Sequence, residues 1–130
     1  MRVPWALCVA GVCVPWVSML TAQDAVKVDP QHYSVVSENK QVRILKVHYG
    51  PHEKSVMHSH PNTVAVFLTD VNARFTFADG KIEPITAKAG DSRYTASTTH
   101  LPENIDDSGM DAIVIELKGK SNKMAKSEPK

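Results

Sequence analysis

The segment VMHSHPNTVAVF, residues 56–67, sets two of the chain's six histidines one residue apart at the head of an apolar run. On an extended strand successive side chains face opposite ways, so His58 and His60 share a face about 6–7 Å apart. At that spacing both imidazoles reach a single ion. A His-x-His pair alone is weak evidence, and the second half of the chain adds to it. There, THLPEN carries His100, four residues before Asn104. Three histidines from two strands suffice for a divalent transition metal (Zn, Cu, Fe or Mn), with positions left open for water or a ligand. The same alternation, continued, puts Asn62, Val64 and Val66 on the histidine face and turns Met57 and Phe67 away from it.

What is missing limits the chemistry. No acid follows His60 at four or five residues; Val64 and Ala65 stand there. Neutral imidazoles leave the charge of a divalent ion uncompensated. Such a site is a stronger Lewis acid than one with a carboxylate, and it favours an anionic, bidentate oxygen ligand. Two residues are candidates for a fourth ligand. His52 follows Gly50-Pro51 and precedes Glu53-Lys54, which reads better as an exposed loop. Glu103 alternates away from His100 unless Pro102 disturbs the strand. His32 and His48 have no partner at metal spacing and read as surface or strand residues. Asn62 reads either as a ligand contact or as a turn residue after Pro61. Arg43, Arg74 and Tyr94 are assigned no role. No general acid or base is identifiable.

The elements that must position these groups are strands. Short alternating runs recur between turn residues: YSVVS, QVRILKVHY, TVAVFLT, ARFTF, KIEPITA, SRYTA, a strand leading out of His100, and MDAIVIELK. Asp79-Gly80 suits a tight hairpin turn. Pro84 marks KIEPITA as an edge strand or a bulge. Residues 113–117 read as the clearest core strand. About eight closely spaced strands without helices predict an all-β, antiparallel barrel or sandwich.

The ends of the chain read differently. Residues 1–22 open with one charge, Arg2, followed by an uncharged, mostly apolar run to Leu20, which reads as an export signal cleaved after Ala22, with an uncleaved membrane anchor as the alternative. Both cysteines, Cys8 and Cys13, would leave with it, so neither disulfides nor thiolate chemistry is expected in the mature chain. Arg2 is also the only charge lost, which brings the 15 basic residues level with the 14 acidic ones. That balance favours neither nucleic acid nor an anionic membrane as a partner. Residues 118–130 carry five lysines and little to bury, and read as a solvated tail. The expected organisation is a signal over 1–22, one domain over 31–117, and that tail.

The motifs MHSHP, KAGD and THLPENI together resemble the cupin superfamily, in particular its small single-domain members, over roughly residues 31–117. The resemblance implies a small antiparallel cupin (jelly-roll-like) β-barrel. It matches His58 and His60 to the two histidine ligands of the first cupin motif, His100 to the ligand of the second, Asn104 to a structural asparagine, and Gly90 to a turn glycine. The sequence departs from the pattern at His52, Ala96 and Thr98, where glycine, proline and glycine are expected. It lacks the closing glycine near Val71, and above all the glutamate ligand. Three-histidine cupins include iron enzymes that cleave carbon–carbon bonds or oxidise thiols with dioxygen. The resemblance therefore implies a metal-binding protein with a pocket for a small, anionic molecule, dioxygenase-type if catalytic. The alternative is a non-catalytic module that captures a metal or a small acid, and a weaker third reading is a metal-free structural barrel. Dimerisation through exposed strand edges is expected. So is a periplasmic or secreted location, where copper or zinc would outcompete iron for the site.

Overall fold

The computed structural model describes residues 23–119. The expected export signal and most of the lysine-rich tail lie outside them.

The strands follow the alternating runs closely. They are β1 (Tyr33–Glu38), β2 (Val42–Tyr49), β3 (His58–His60), β4 (Thr63–Phe67), β5 (Val71–Phe77), β6 (Ile82–Ala87), β7 (Ser92–Thr95), β8 (Thr98–Asn104) and β9 (Met110–Leu117). A single helical turn, α1 (Ala25–Val28), precedes them. It was not expected, since one turn is too short to show a helical period. Asp24 caps it by accepting a hydrogen bond from the Val26 N–H at 2.9 Å.

Two antiparallel sheets face each other. One has the order β1-β2-β9-β4-β7, the other β3-β8-β5-β6. The sheets do not close into the expected barrel, so β7 and β6 end as free edges. Pro84, as expected, lies on an edge strand, where its missing N–H breaks no ladder. Gly80 and Gly90 take φ of 87° and 91° in the turns flanking β6, a region only glycine enters without strain.

The histidine segment differs from the sequence reading. It is not one strand but two, and it changes sheets between them. Pro61 has no N–H to extend the ladder, and the Asn62 side-chain oxygen accepts from the Ser97 N–H at 2.9 Å. Asn62 is therefore a turn residue and not a ligand contact. The bend resets the alternation. After it, Ala65 and Phe67 face inward, and Val64 and Val66 face outward. The expectation that Phe67 faces away from the histidines is overturned by this bend.

The buried core is small: Ala25, Tyr33, Leu45, Val47, Tyr49, Val71, Ala73 and Met110. Beside it the space between the sheets is left as a cavity of about 310 Å³. Residues 113–117 lie on a central strand, but only Glu116 among them is fully buried. Ile113 and Ile115 lie on its outer side. There Ile44, Ile115, Val64 and Tyr94 align across four strands, an apolar row that is open to solvent at Tyr94.

Candidate metal centre

β3 and β8 pair antiparallel with His58 opposite His100 and His60 opposite Thr98. Strand alternation then turns all three imidazoles to the interior. His58, His60 and His100 are buried, with one ring nitrogen from each within 4.8 Å of the others. Around one ion at about 2.1 Å the nitrogens would stand roughly 3–4 Å apart, so an inward shift of about an ångström closes the set.

Each ring is held in its own way. His60 Nδ1 lies 2.8 Å from Glu116 Oε1, and since a carboxylate only accepts, the ring nitrogen donates. Glu116 Oε2 accepts from Arg43 Nε at 2.6 Å, and Arg43 in turn forms two bonds to Asp24 at 2.7 and 3.0 Å. Burial pushes the Glu116 carboxyl up, but the hydrogen bonds from His60 and Arg43 outweigh it and keep the group ionised. His58 Nδ1 donates to the Val56 carbonyl at 2.8 Å, with the Ser55 hydroxyl at 3.3 Å. His100 has no polar partner and packs edge-on against Phe75 with ring centres 4.6 Å apart.

Three ring nitrogens are consequently buried without a hydrogen bond: His58 Nε2 and both nitrogens of His100. Each such orphan costs about 1–3 kcal/mol. Burial, and then the neighbouring rings, push His58 down to about 4 and His100 to about 3. These two rings are thus neutral at physiological pH and present lone pairs. That is the state metal ligation requires, and the donor set fits a divalent transition metal.

The other candidates are excluded from the cluster. His52 is exposed, in a loop, with Nε2 2.6 Å from Asp107. Glu103 faces outward and takes two hydrogen bonds from Arg74. Asn104 is structural, as expected: fully buried, it donates to the Gly50 and Ser108 carbonyls and accepts from the Asp106 N–H. His48 is an exposed strand residue paired with Asp111. His32 is not a surface residue. It is buried, stacked on Tyr49 at 4.3 Å, and bonded to Asp29 and Glu53. Asp29 also accepts from Ser55, so this network backs the His58 side of the site.

Sequence reasoning missed Glu116. It sits in a mostly apolar strand, and the registers Thr63 to Glu116 and Arg43 to Glu116 place it behind the histidines. An acid next to the last residue of a core-strand pattern was the one available signal.

The cavity opens from the cluster. His60 and His100 line it, with Phe67, Phe75, Phe77 and Ile85. Tyr33 and Tyr49 also line it and share a hydrogen bond at 2.8 Å. Burial raises both phenols above the usual tyrosine range, so they are neutral groups and not bases.

No protein-family model and no curated protein sequence matches this chain. Solved structures do. The chain is similar to a cupin domain from Bordetella pertussis Tohama I, with a TM-score of 0.62 and 20% identity over 67% of this chain and 92% of that one. It is similar to a double-stranded β-helix domain protein from Klebsiella pneumoniae, with a TM-score of 0.55 and 20% identity over 68% and 76%. An RmlC-like cupin from Methanocaldococcus jannaschii follows at 0.53 and 16% identity over 65% and 77%. At these identities the likeness establishes the fold, the cupin double-stranded β-helix, and nothing further.

Proposed function

We propose that this chain of cupin fold binds one divalent transition metal through His58, His60 and His100 and receives a small anionic molecule in the adjoining cavity. The observation that carries this is the orphaning of His58 Nε2 and of both His100 nitrogens, since one ion would satisfy the first and one of the second pair. His60 is oriented by Glu116, and Glu116 by Arg43, which is the carboxylate–histidine arrangement that fixes a ligand's tautomer. The bound ion would supply Lewis acidity and, if it is iron or copper, redox chemistry of the dioxygenase kind. The apolar walls would exclude water and orient the substrate.

A second reading, non-catalytic capture of a small acid, is favoured by one observation. The buried carboxylate nearest the cluster is fully engaged by His60 and Arg43, leaving no free base there.

The test is the metal content of the purified chain beside a His58→Ala/His60→Ala variant. About one equivalent, lost in the variant, is expected. A wild type that is empty and takes up no added metal would refute the site. Iron or copper in it, with oxygen uptake on adding a diketone, thiol or catechol, would select the enzyme; zinc without turnover would select the binder. We propose further that the protein is exported with residues 1–22 removed, and that it dimerises through the β1 edge, where Val35 and Val36 are exposed. The N-terminal sequence and solution mass of the same sample check both: an intact Met1 or a monomer mass would count against them.

A further inference from the structure

Beside the cavity, the two sheets leave free edges on β7 and β6. Arg93 stands in that gap. Alternation along β7 turns Arg93 and Thr95 into the cavity. The guanidinium of Arg93 lies 5.9 Å over the Phe67 ring and donates to the Thr86 carbonyl on β6 at 3.2 Å. Its circumstances differ from those of the two other described arginines. Arg43 pairs with Asp24 and Glu116, and Arg74 with Glu103. Among the described residues Arg93 pairs with no carboxylate. Glu83 lines the same cavity, but its charge is answered by Lys81 at 2.7 Å.

A guanidinium carries five N–H donors in a planar fork, and most of those on Arg93 are free for a ligand. The fork matches a carboxylate with two parallel hydrogen bonds. Phe67, over which it sits, shields one side of such a pair from water, and the other side is open to solvent. The cavity, about 310 Å³, falls at the small end of ligand pockets, which run roughly 300–1,000 Å³. It has a cation at one end, aromatic and branched walls along its length, and the histidine cluster at the other.

We propose that Arg93 anchors the ligand's carboxylate at the cavity mouth, and that the ligand is a small carboxylic acid with an aromatic or branched apolar body. The end of that body remote from the carboxylate points at the histidines. The identity of the class deepens the proposed function, but the anchor itself does not depend on a metal.

The experiment uses the full chain as purified, with 3-phenylpropionate and its neutral amide as probes, in calorimetric titrations repeated after chelation. Arg93→Met keeps the apolar stem over Phe67 and removes the fork; Arg93→Lys keeps the charge. The position is exposed, and melting temperatures of both variants should match wild type. Wild type is expected to bind the acid about tenfold more tightly than the amide, with or without chelator. Arg93→Met should lose that preference without weakening the amide, and Arg93→Lys should retain part of it. A preference that survives in Arg93→Met overturns the anchor. One abolished by chelator alone places the acid on the ion instead, which would overturn the anchor and support the metal site. Equal binding of acid and amide, or no binding of either, overturns the ligand class.

Discussion

His58 and His100 face each other with ring centres 5.0 Å apart, yet the two sides of the site are built on different principles. On the β3 side each imidazole has one nitrogen committed. His60 is bonded to a charged chain running through Glu116 and Arg43 to Asp24, and His58 to a carbonyl two residues away. Committing Nδ1 leaves Nε2 directed inward, so polar contacts have selected both the tautomer and the donor atom. On the β8 side nothing polar holds His100. Its ring is placed by the shape of its apolar neighbours, Phe75 foremost, and neither nitrogen has been chosen. One side is preorganised for a ligand and the other is kept neutral by exclusion of water.

Acid should expose that difference most strongly. Unfolded histidines protonate as pH falls through about 6.5. In the metal-free fold, burial and then the adjacent rings delay this to about 4 for His58 and about 3 for His100. Between those values the unfolded state binds more protons than the folded one. Stability is therefore full above about 6.5, falls as pH is lowered, and levels off once both rings are protonated in the fold. A tenfold weakening of proton affinity on folding corresponds to about 1.4 kcal/mol, so the metal-stripped protein should lose a few kcal/mol between pH 7 and 4. Urea melts across that range measure it, and His100→Ala should flatten the profile more than His58→Ala. An unchanged midpoint from pH 7 to pH 4.5 would mean that the rings are not shielded.

The sheet-level architecture was legible in the sequence because alternation and turn chemistry are local. YSVVS, ARFTF and KIEPITA each became the strand their pattern implies. The pairing of His58 and His60 with His100 was legible too, since His-x-His on a strand needs only one partner strand to form a cluster. What was not legible depended on contacts distant in sequence or on one bend. Pro61-Asn62 interrupts a run that looks continuous, and missing it reversed the facing of Phe67, Val64 and Val66. Glu116 is invisible as a site residue until β9 pairs with β4. His32 lies far in sequence from Glu53 and reads as surface because its burial comes from stacking on Tyr49.

Glu116→Gln tests the charged arm of the comparison. The amide oxygen still accepts from His60 but no longer carries charge, its NH2 takes the place of the oxygen that accepted from Arg43 Nε, and Arg43 keeps Asp24 as its partner. Orienting partners of this kind are worth about 10–100-fold in metal affinity. A loss in that range is expected in competition against a chromophoric chelator, with the fold retained by circular dichroism. An unchanged affinity would show that His60 needs no charged support.

Ser55→Ala tests the neutral arm, and its effect should be the smallest. The Ser55 hydroxyl donates to Asp29 and stands 3.3 Å from His58 Nδ1, while the Val56 carbonyl is nearer at 2.8 Å. If the backbone carbonyl orients His58, deleting the hydroxyl removes a secondary contact. Asp29 still holds His32 through hydrogen bonds of 2.8 and 2.9 Å, so the buried network stays largely satisfied. Metal affinity should then fall only about two- to threefold, within the few tenths of a kcal/mol to about 1 kcal/mol of a weak neutral hydrogen bond. A loss as large as that of Glu116→Gln would place the control of His58 in the Asp29 network instead. The two β3 histidines would then both be held by buried carboxylates, and the asymmetry of the site would lie wholly between β3 and β8.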